Sequence, residues 1–175
     1  MSGAGLSRFS GRLARTVWSV ELPEVYRRAV ERLCDLLPLR AVNWALTGSV
    51  AHRIQGVDVA CGDVDVQTDE EAVYDVARRL DQWMVDPVVI RESETMRSHF
   101  GRAVFEDLGV DVEIMGAVQK RRSGGPWSAP TDPAVHRRVV SVGPMQVPVL
   151  SLKYEADAYE AIGRAERAKL LRDLL

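Results

Sequence analysis

The sequence predicts an α+β fold, a mixed β-sheet with flanking helices and further helices at the C-terminal end. Three observations carry that prediction. Helical and extended patterns alternate over the first half of the chain, several short extended patterns follow without a helix between them, and helical spacing returns after residue 150. The 175 residues suffice for one core of ordinary size with a small appendage. We divide them into an N-terminal arm (1–22), a core (23–150) and a C-terminal helical segment (151–175).

From Pro23 to Leu37 the apolar residues Val25, Val30, Leu33, Leu36 and Leu37 recur near helical spacing, with Pro23 suited to a first helical position and Pro38 as a stop. Ala41–Leu46 is a short apolar run read as a buried strand, ending at Thr47-Gly48-Ser49. Ser49 is expected to cap a helix that opens after Gly48. Asp63-Val64-Asp65-Val66-Gln67 alternates polar and apolar as a half-buried strand does. Thr68 and Glu71 match a capping box for a helix expected to run through Val73, Val76, Ala77 and Leu80 to about Met84, with Pro87 breaking the pattern. Val88–Ile90, Ser98–Phe105 and Val110–Met115 read as strands, the last two forming a hairpin around residues 106–109. Residues 120–133 have the Gly, Pro and Ser density of a long surface loop. Val139–Val142 and Met145–Leu150 pair as a hairpin around Gly143-Pro144, and Ser151 onward is helical with a break at Gly163.

Composition excludes some classes of function. A content of 46% hydrophobic and 27% charged residues is that of a soluble globular chain and excludes low-hydrophobicity disorder. The formal charge of −2 provides no global positive field for nucleic acid. Cys34 and Cys61 have neither metal-ligand spacing nor the makings of a disulfide framework, so a reducing, cytoplasmic setting is expected. No apolar run is long enough to span a membrane. Arg8, Arg12 and Arg15, with no acid among the first twenty residues, faintly resemble a transit peptide. A plain arm is the simpler reading.

The chemistry resides in three features. Asp63 and Asp65 lie two apart on a strand and so project from one face. Such a pair of like charges requires open solvent or a cation, and two carboxylates on a rigid strand suit Mg²⁺. Val110-Asp111-Val112-Glu113-Ile114 carries two more acids on one face. A third carboxylate from it would complete a site for two metal ions and phosphoryl-type transfer. Glu113 is preferred because it sits deeper in the apolar run, and Asp111 is the alternate. At Thr47-Gly48-Ser49 the glycine lets a phosphate approach the backbone and Ser49 adds a hydroxyl. Alternating acids can also be nothing more than a solvated strand face. The combination with Gly48-Ser49 is what points to a metal–triphosphate site.

Leu46-Thr47-Gly48-Ser49 followed, after the thirteen residues 50–62, by Asp63-Val64-Asp65-Val66 resembles the nucleotidyltransferase superfamily of DNA polymerase β and the aminoglycoside adenylyltransferases. The Val110–Met115 strand is similar to that superfamily's third-carboxylate strand. The resemblance covers roughly residues 40–115, and the segment from Val149 to Tyr159 is similar to the helix that follows the core in small prokaryotic members. It implies a polymerase β-like fold. It also implies an enzyme that moves a nucleoside monophosphate, with ATP as the default donor, to an acceptor hydroxyl and releases pyrophosphate. Asp63, Asp65 and Glu113 would bind two Mg²⁺ ions, Glu113 or Asp111 would assist the acceptor proton, and Gly48 and Ser49 would hold the β and γ phosphates. Arg97 and Lys153 are further candidates for the nucleotide, each with a plain surface-charge reading beside it. The acceptor is left open between a small molecule, an RNA end and a protein side chain. A second class of function is a toxin–antitoxin component or nucleotide-binding partner protein without turnover, acting as a homodimer or with a helical partner. A third is a Mg²⁺-dependent phosphohydrolase.

Overall fold

In a computed structural model that describes residues 21–175, the chain forms seven strands and six α-helices in the order helix, strand, helix, strand, helix, five further strands and two helices, with one short helix among the later strands. Of the expected N-terminal arm only Glu21 and Leu22 are described. The arginine-rich stretch that resembles a transit peptide lies outside the described residues.

Helix α1 (Glu24–Leu36) buries Ala29, Val30 and Leu33 on one stripe, as the apolar spacing requires. Strand β1 (Trp44–Thr47) is buried throughout and leads without a loop into α2 (Gly48–Ile54). Strand β2 (Val64–Thr68) and α3 (Ala72–Arg79) follow. After α3 the chain departs from expectation. The helix stops at Arg79, residues Asp81–Trp83 make a single 3₁₀ turn, and β3 (Met84–Glu92) begins where the helix was expected to end. Pro87 lies within β3, which a strand tolerates when it is at the sheet edge with no second neighbour to bond. Strands β4 (Met96–Phe105) and β5 (Val110–Lys120) make the expected hairpin, both longer than their sequence patterns. A one-turn helix, α4 (Pro133–His136), has no counterpart in the sequence pattern. It is capped by Asp132, whose side chain accepts from the Ala134 N–H. Strands β6 (Arg137–Val142) and β7 (Met145–Leu150) pair around the Gly143 turn, and α5 (Leu152–Ala161) and α6 (Ala165–Arg172) are separated near Gly163 as expected.

Two caps differ from the sequence reading. Ser49 does not cap α2, since Thr47 holds the preceding position and the Ser49 Oγ accepts from the Gly62 N–H at 2.9 Å. Thr68 closes β2. Asp69, one residue on, accepts the N–H groups of Glu71 and Ala72 and does the capping.

The sheet order is β3-β4-β5-β2-β1-β7-β6, with β2/β5 and β1/β7 parallel and the other pairs antiparallel. Val64, Val66, Val112 and Ile114 point from the central strands into a core closed by Val30, Leu33 and Val76 of α1 and α3. The opposite face carries the polar members of the same alternation, so the core residues fix which side chains face away from it. A smaller cluster of Val57, Leu152, Ala156 and Leu171 seats α5 and α6 beside α2. Among the described residues no helix is long and apolar enough to cross a membrane, and Cys34 and Cys61 are unpaired thiols.

Candidate active site

Parallel pairing of β2 with β5 sets Asp65 directly across from Glu113, and antiparallel pairing of β1 with β2 sets Thr47 across from Asp65. The turn into α2 therefore lies against the carboxylates. Gly48 has φ +68, and a Cβ there would collide with the Asp65 carboxylate. Glycine is required on both counts, for its left-handed backbone and for the absence of a side chain.

A cavity of about 260 Å³ opens at this point. Gly48, Asp65 and Glu113 line it together with Thr47, Gln67, Met115, Lys120, Glu155, Tyr159 and Arg164. Of the residues singled out from sequence, these three are the ones brought to its wall. Asp63 stands exposed just before β2, near enough for its charge to raise the proton affinity of both Asp65 and Glu113. The Ser49 hydroxyl is turned to Gly62. Asp111 does share a face with Glu113, but its carboxylate takes a hydrogen bond from Arg102 at 2.9 Å, and Arg102 also holds Asp86 at 2.9 Å. Arg97 donates to the Gln119 side chain and lies 4.8 Å from the centre of the Trp127 ring, with Arg121 against the same ring at 4.0 Å. Lys153 is paired on the surface with Asp157. Arg97 and Lys153 are thus held away from the cavity, and the cations on its wall are Lys120 and Arg164.

The electrostatics are those of crowded acids. Burial, then the neighbouring charges of Glu113, Asp63 and Glu155, push Asp65 up to about 8 from an ordinary value of 3.8, and Glu113 is its hydrogen-bond partner. Glu113 is raised too, by burial and by Asp63. As the side chains stand, no three His, Cys, Asp or Glu groups among the described residues form a metal cage. Even so, the donor set fits a hard divalent cation: hard carboxylate oxygens on adjacent strands carry more negative charge than the site neutralises, and they must bind either a proton or a cation.

Below this pair is a third acid, one that the sequence pattern does not single out. Glu155 of α5 is 3% exposed, accepts a hydrogen bond from the Thr47 hydroxyl, and lies 3.8 Å from Nε2 of His52, which is fully buried on α2. Burial alone would raise its pKa, but His52, the Thr47 hydroxyl and the charge of Lys120 together outweigh burial and lower it. Glu155 joins the C-terminal helix to the Gly48 turn from beneath. The sequence pattern marks Gln67 only as a strand residue. It lines the cavity 2% exposed, with its Nε2 lacking a hydrogen-bond partner. A buried His or Glu on a helix has no distinctive spacing. The usable signal was Gln67, which continues the Asp63–Asp65 alternation by one more step.

A parallel β2/β5 pair bearing facing acids, entered from a Gly turn and closed by C-terminal helices, defines a protein of the nucleotidyltransferase class. The sequence pattern of the aminoglycoside-2''-adenylyltransferase family matches residues 29–174, and the chain belongs to that family. It is also similar to a Thermotoga maritima protein solved by crystallography at 1.87 Å and described as a candidate nucleotidyltransferase. The two share 38% identity with a TM-score of 0.76, over 87% of this chain and 94% of that one. No protein of curated function matches. The α+β, polymerase β-like fold and the enzyme class expected from sequence both hold.

Proposed function

We propose that this enzyme transfers a nucleoside monophosphate, AMP from ATP, to an acceptor hydroxyl with release of pyrophosphate. The observation that supports the reading most strongly is the register that sets Asp65 beside Glu113 and against the Gly48 turn. The acceptor oxygen attacks the α-phosphorus, the bond from that phosphorus to the bridging oxygen breaks, and the electron pair leaves with pyrophosphate. Glu113, whose proton affinity is raised, would take the acceptor proton. The backbone at Gly48 lets the phosphate tail approach, with the Ser49 hydroxyl one residue on. Lys120 and Arg164 face the cavity as the cations for its negative charge. Asp63, Asp65 and Glu113 are the residues that would hold Mg²⁺, two ions in the full arrangement, and the metal would supply charge neutralisation on the reacting phosphate.

The test is incubation with Mg²⁺, α-labelled ATP and a panel of hydroxyl compounds. Transfer of label with pyrophosphate release, abolished by Asp65→Asn, supports the reading. Release of inorganic phosphate without pyrophosphate would replace it with hydrolysis. ATP binding without turnover, together with a co-purifying protein, would replace it with a partner role.

A further inference from the structure

Between α2 and β2 the chain turns back and runs along α2 towards its first residues, tied to it on the way. The Val57 N–H donates to the His52 carbonyl at 3.0 Å. The Arg53 guanidinium donates to the Val59 carbonyl at 2.9 Å and to the Asp58 carboxylate at 3.2 Å. Last in chain order, the Gly62 N–H donates to the Ser49 hydroxyl at 2.9 Å. Ser49 and Arg53 are four residues apart on a helix and so share the face that this loop lies on. A further tie comes from α1, where the Tyr26 hydroxyl donates to the Cys61 carbonyl at 3.2 Å.

The tie at Ser49 bears on Asp63. That residue is exposed and lies one position before β2, whose pairing with β5 begins at Val64. The sheet ladder therefore starts too late to hold it. On its other side is Gly62, also exposed, and glycine has more backbone freedom to lose than any other residue. The bond to Ser49 removes that freedom one residue before the carboxylate. The placement matters because the Asp63 charge reaches both Asp65 and Glu113. Ser49 can thus act on the acid cluster through the backbone, without touching a carboxylate. As the acceptor from Gly62 it also keeps its own O–H proton for another partner.

Resting on the transfer reading above, we propose that Ser49 is a positioning residue: by holding the Gly62 N–H it sets Asp63 in the arrangement that binds the divalent cation. A Ser49 that served the phosphate tail alone would leave metal binding untouched when no nucleotide is present.

The experiment uses the full-length enzyme with Mn²⁺ as the probe, unbound Mn²⁺ being counted by electron paramagnetic resonance without nucleotide. ATP binding at saturating Mn²⁺ is measured separately by calorimetry, and thermal unfolding by circular dichroism reports the fold. Ser49→Ala leaves the ties at Val57, Val59 and Cys61 in place, so cooperative unfolding should persist. We expect it to weaken Mn²⁺ binding about fivefold, the net worth of one hydrogen bond, with ATP affinity at saturating Mn²⁺ within twofold. Ser49→Thr, which keeps the accepting oxygen, should stay within twofold of wild type on both measures. Asp63→Asn should weaken Mn²⁺ binding at least tenfold. Adding Ser49→Ala to it should cost less than a further twofold, since the group acted through is already gone. Unchanged Mn²⁺ affinity in Ser49→Ala overturns the inference, and if ATP affinity falls instead, Ser49 is a phosphate ligand and the transfer reading stands. A double variant in which the two losses multiply overturns it as well. Failure of the wild type to bind Mn²⁺, or of Asp63→Asn to weaken that binding, refutes the metal site of the transfer reading, and the inference falls with it.

Discussion

Replacing Asp65 with Asn should make the metal-free protein more stable, although it removes a residue of the proposed reacting centre. In the absence of a cation the folded state holds the Asp65 proton far more tightly than the unfolded chain, up to about 8 against 3.8, because burial and the charges of Glu113, Asp63 and Glu155 oppose ionisation. The sign follows from linkage. The folded state binds more protons than the unfolded state between these values, so stability falls as pH rises from about 4 to about 8 and recovers on acidification. The full displacement would correspond to about 6 kcal/mol at about 1.4 kcal/mol per pH unit, an upper bound that solvent relaxation and proton sharing with Glu113 cut to about 2 kcal/mol. Asparagine keeps the volume and removes the charge. At pH 8 in EDTA, Asp65→Asn should therefore raise Tm by about 4–8 °C for a domain of this size, with the gain shrinking towards zero at pH 4.5. Thermal unfolding by circular dichroism at three pH values measures it. Added Mg²⁺ should stabilise the wild type and leave the variant nearly unmoved, because binding to the native state alone raises stability. A wild-type Tm that stays flat from pH 5 to 8, or a variant less stable than wild type at pH 8 without metal, would refute the picture of crowded, uncompensated acids.

Three further outcomes test separate parts of the site. Gly48→Ala, which adds a Cβ against Asp65 at φ +68, should cost about 2 kcal/mol or more and weaken Mg·ATP binding at least tenfold, measured by urea unfolding and calorimetry. Glu113→Gln should lower kcat by about 10²–10³-fold while Asp111→Asn changes it less than threefold, since Asp111 is tied to Arg102 on the sheet surface; steady-state pyrophosphate release compares them. Glu155→Ala strands the Thr47 hydroxyl and His52 in a buried space and should destabilise the protein by about 2–4 kcal/mol in urea titrations, whereas Glu155→Gln, which keeps an acceptor for Thr47, should recover about half of that loss.

How much of this was legible in the sequence depended on whether the signal was local. Strand alternation at 63–67 and at 110–114 sets Asp65 and Glu113 on the face away from the core without reference to the rest of the chain, and Gly48 declares a turn. The preference for Glu113 over Asp111 rested on depth in an apolar run. In the structure the two are separated by pairing register and by an arginine on β4, neither of which a single strand's pattern contains. Arg97 and Lys153 show the opposite failure. Both are cations at plausible distances along the chain, but one is held by Gln119 and Trp127 and the other by Asp157, and those contacts exist only once the fold is formed. The helix expected to reach Met84 failed for a related reason: Trp83 and Met84 continue the apolar pattern but pack against the core from a 3₁₀ turn and an edge strand.

The residue that did most to hide the site is Ala117. It adopts φ +52, an unusual conformation for a residue with a side chain, at the point where the β4/β5 register slips between Arg97 and His99. One extra residue there reverses the in-out alternation of β5. Upstream, Glu113 and Met115 face the cavity on odd numbers, and downstream Val118 and Lys120 face it on even ones. Strict alternation would have sent Lys120 to the far face and left the carboxylates with one fewer cation opposite them. It follows that the strand's acids and its lysine serve one cavity only because the backbone is bulged between them. Replacing Lys120 with Gln, a side chain of similar length without the charge, leaves the bulge in place and removes only that cation. In a protein that still folds, Mg·ATP affinity should then fall at least tenfold while the Asp65-dependent response of stability to pH persists. If Mg·ATP affinity survives the Lys120→Gln substitution unchanged, Lys120 has no part in holding the nucleotide.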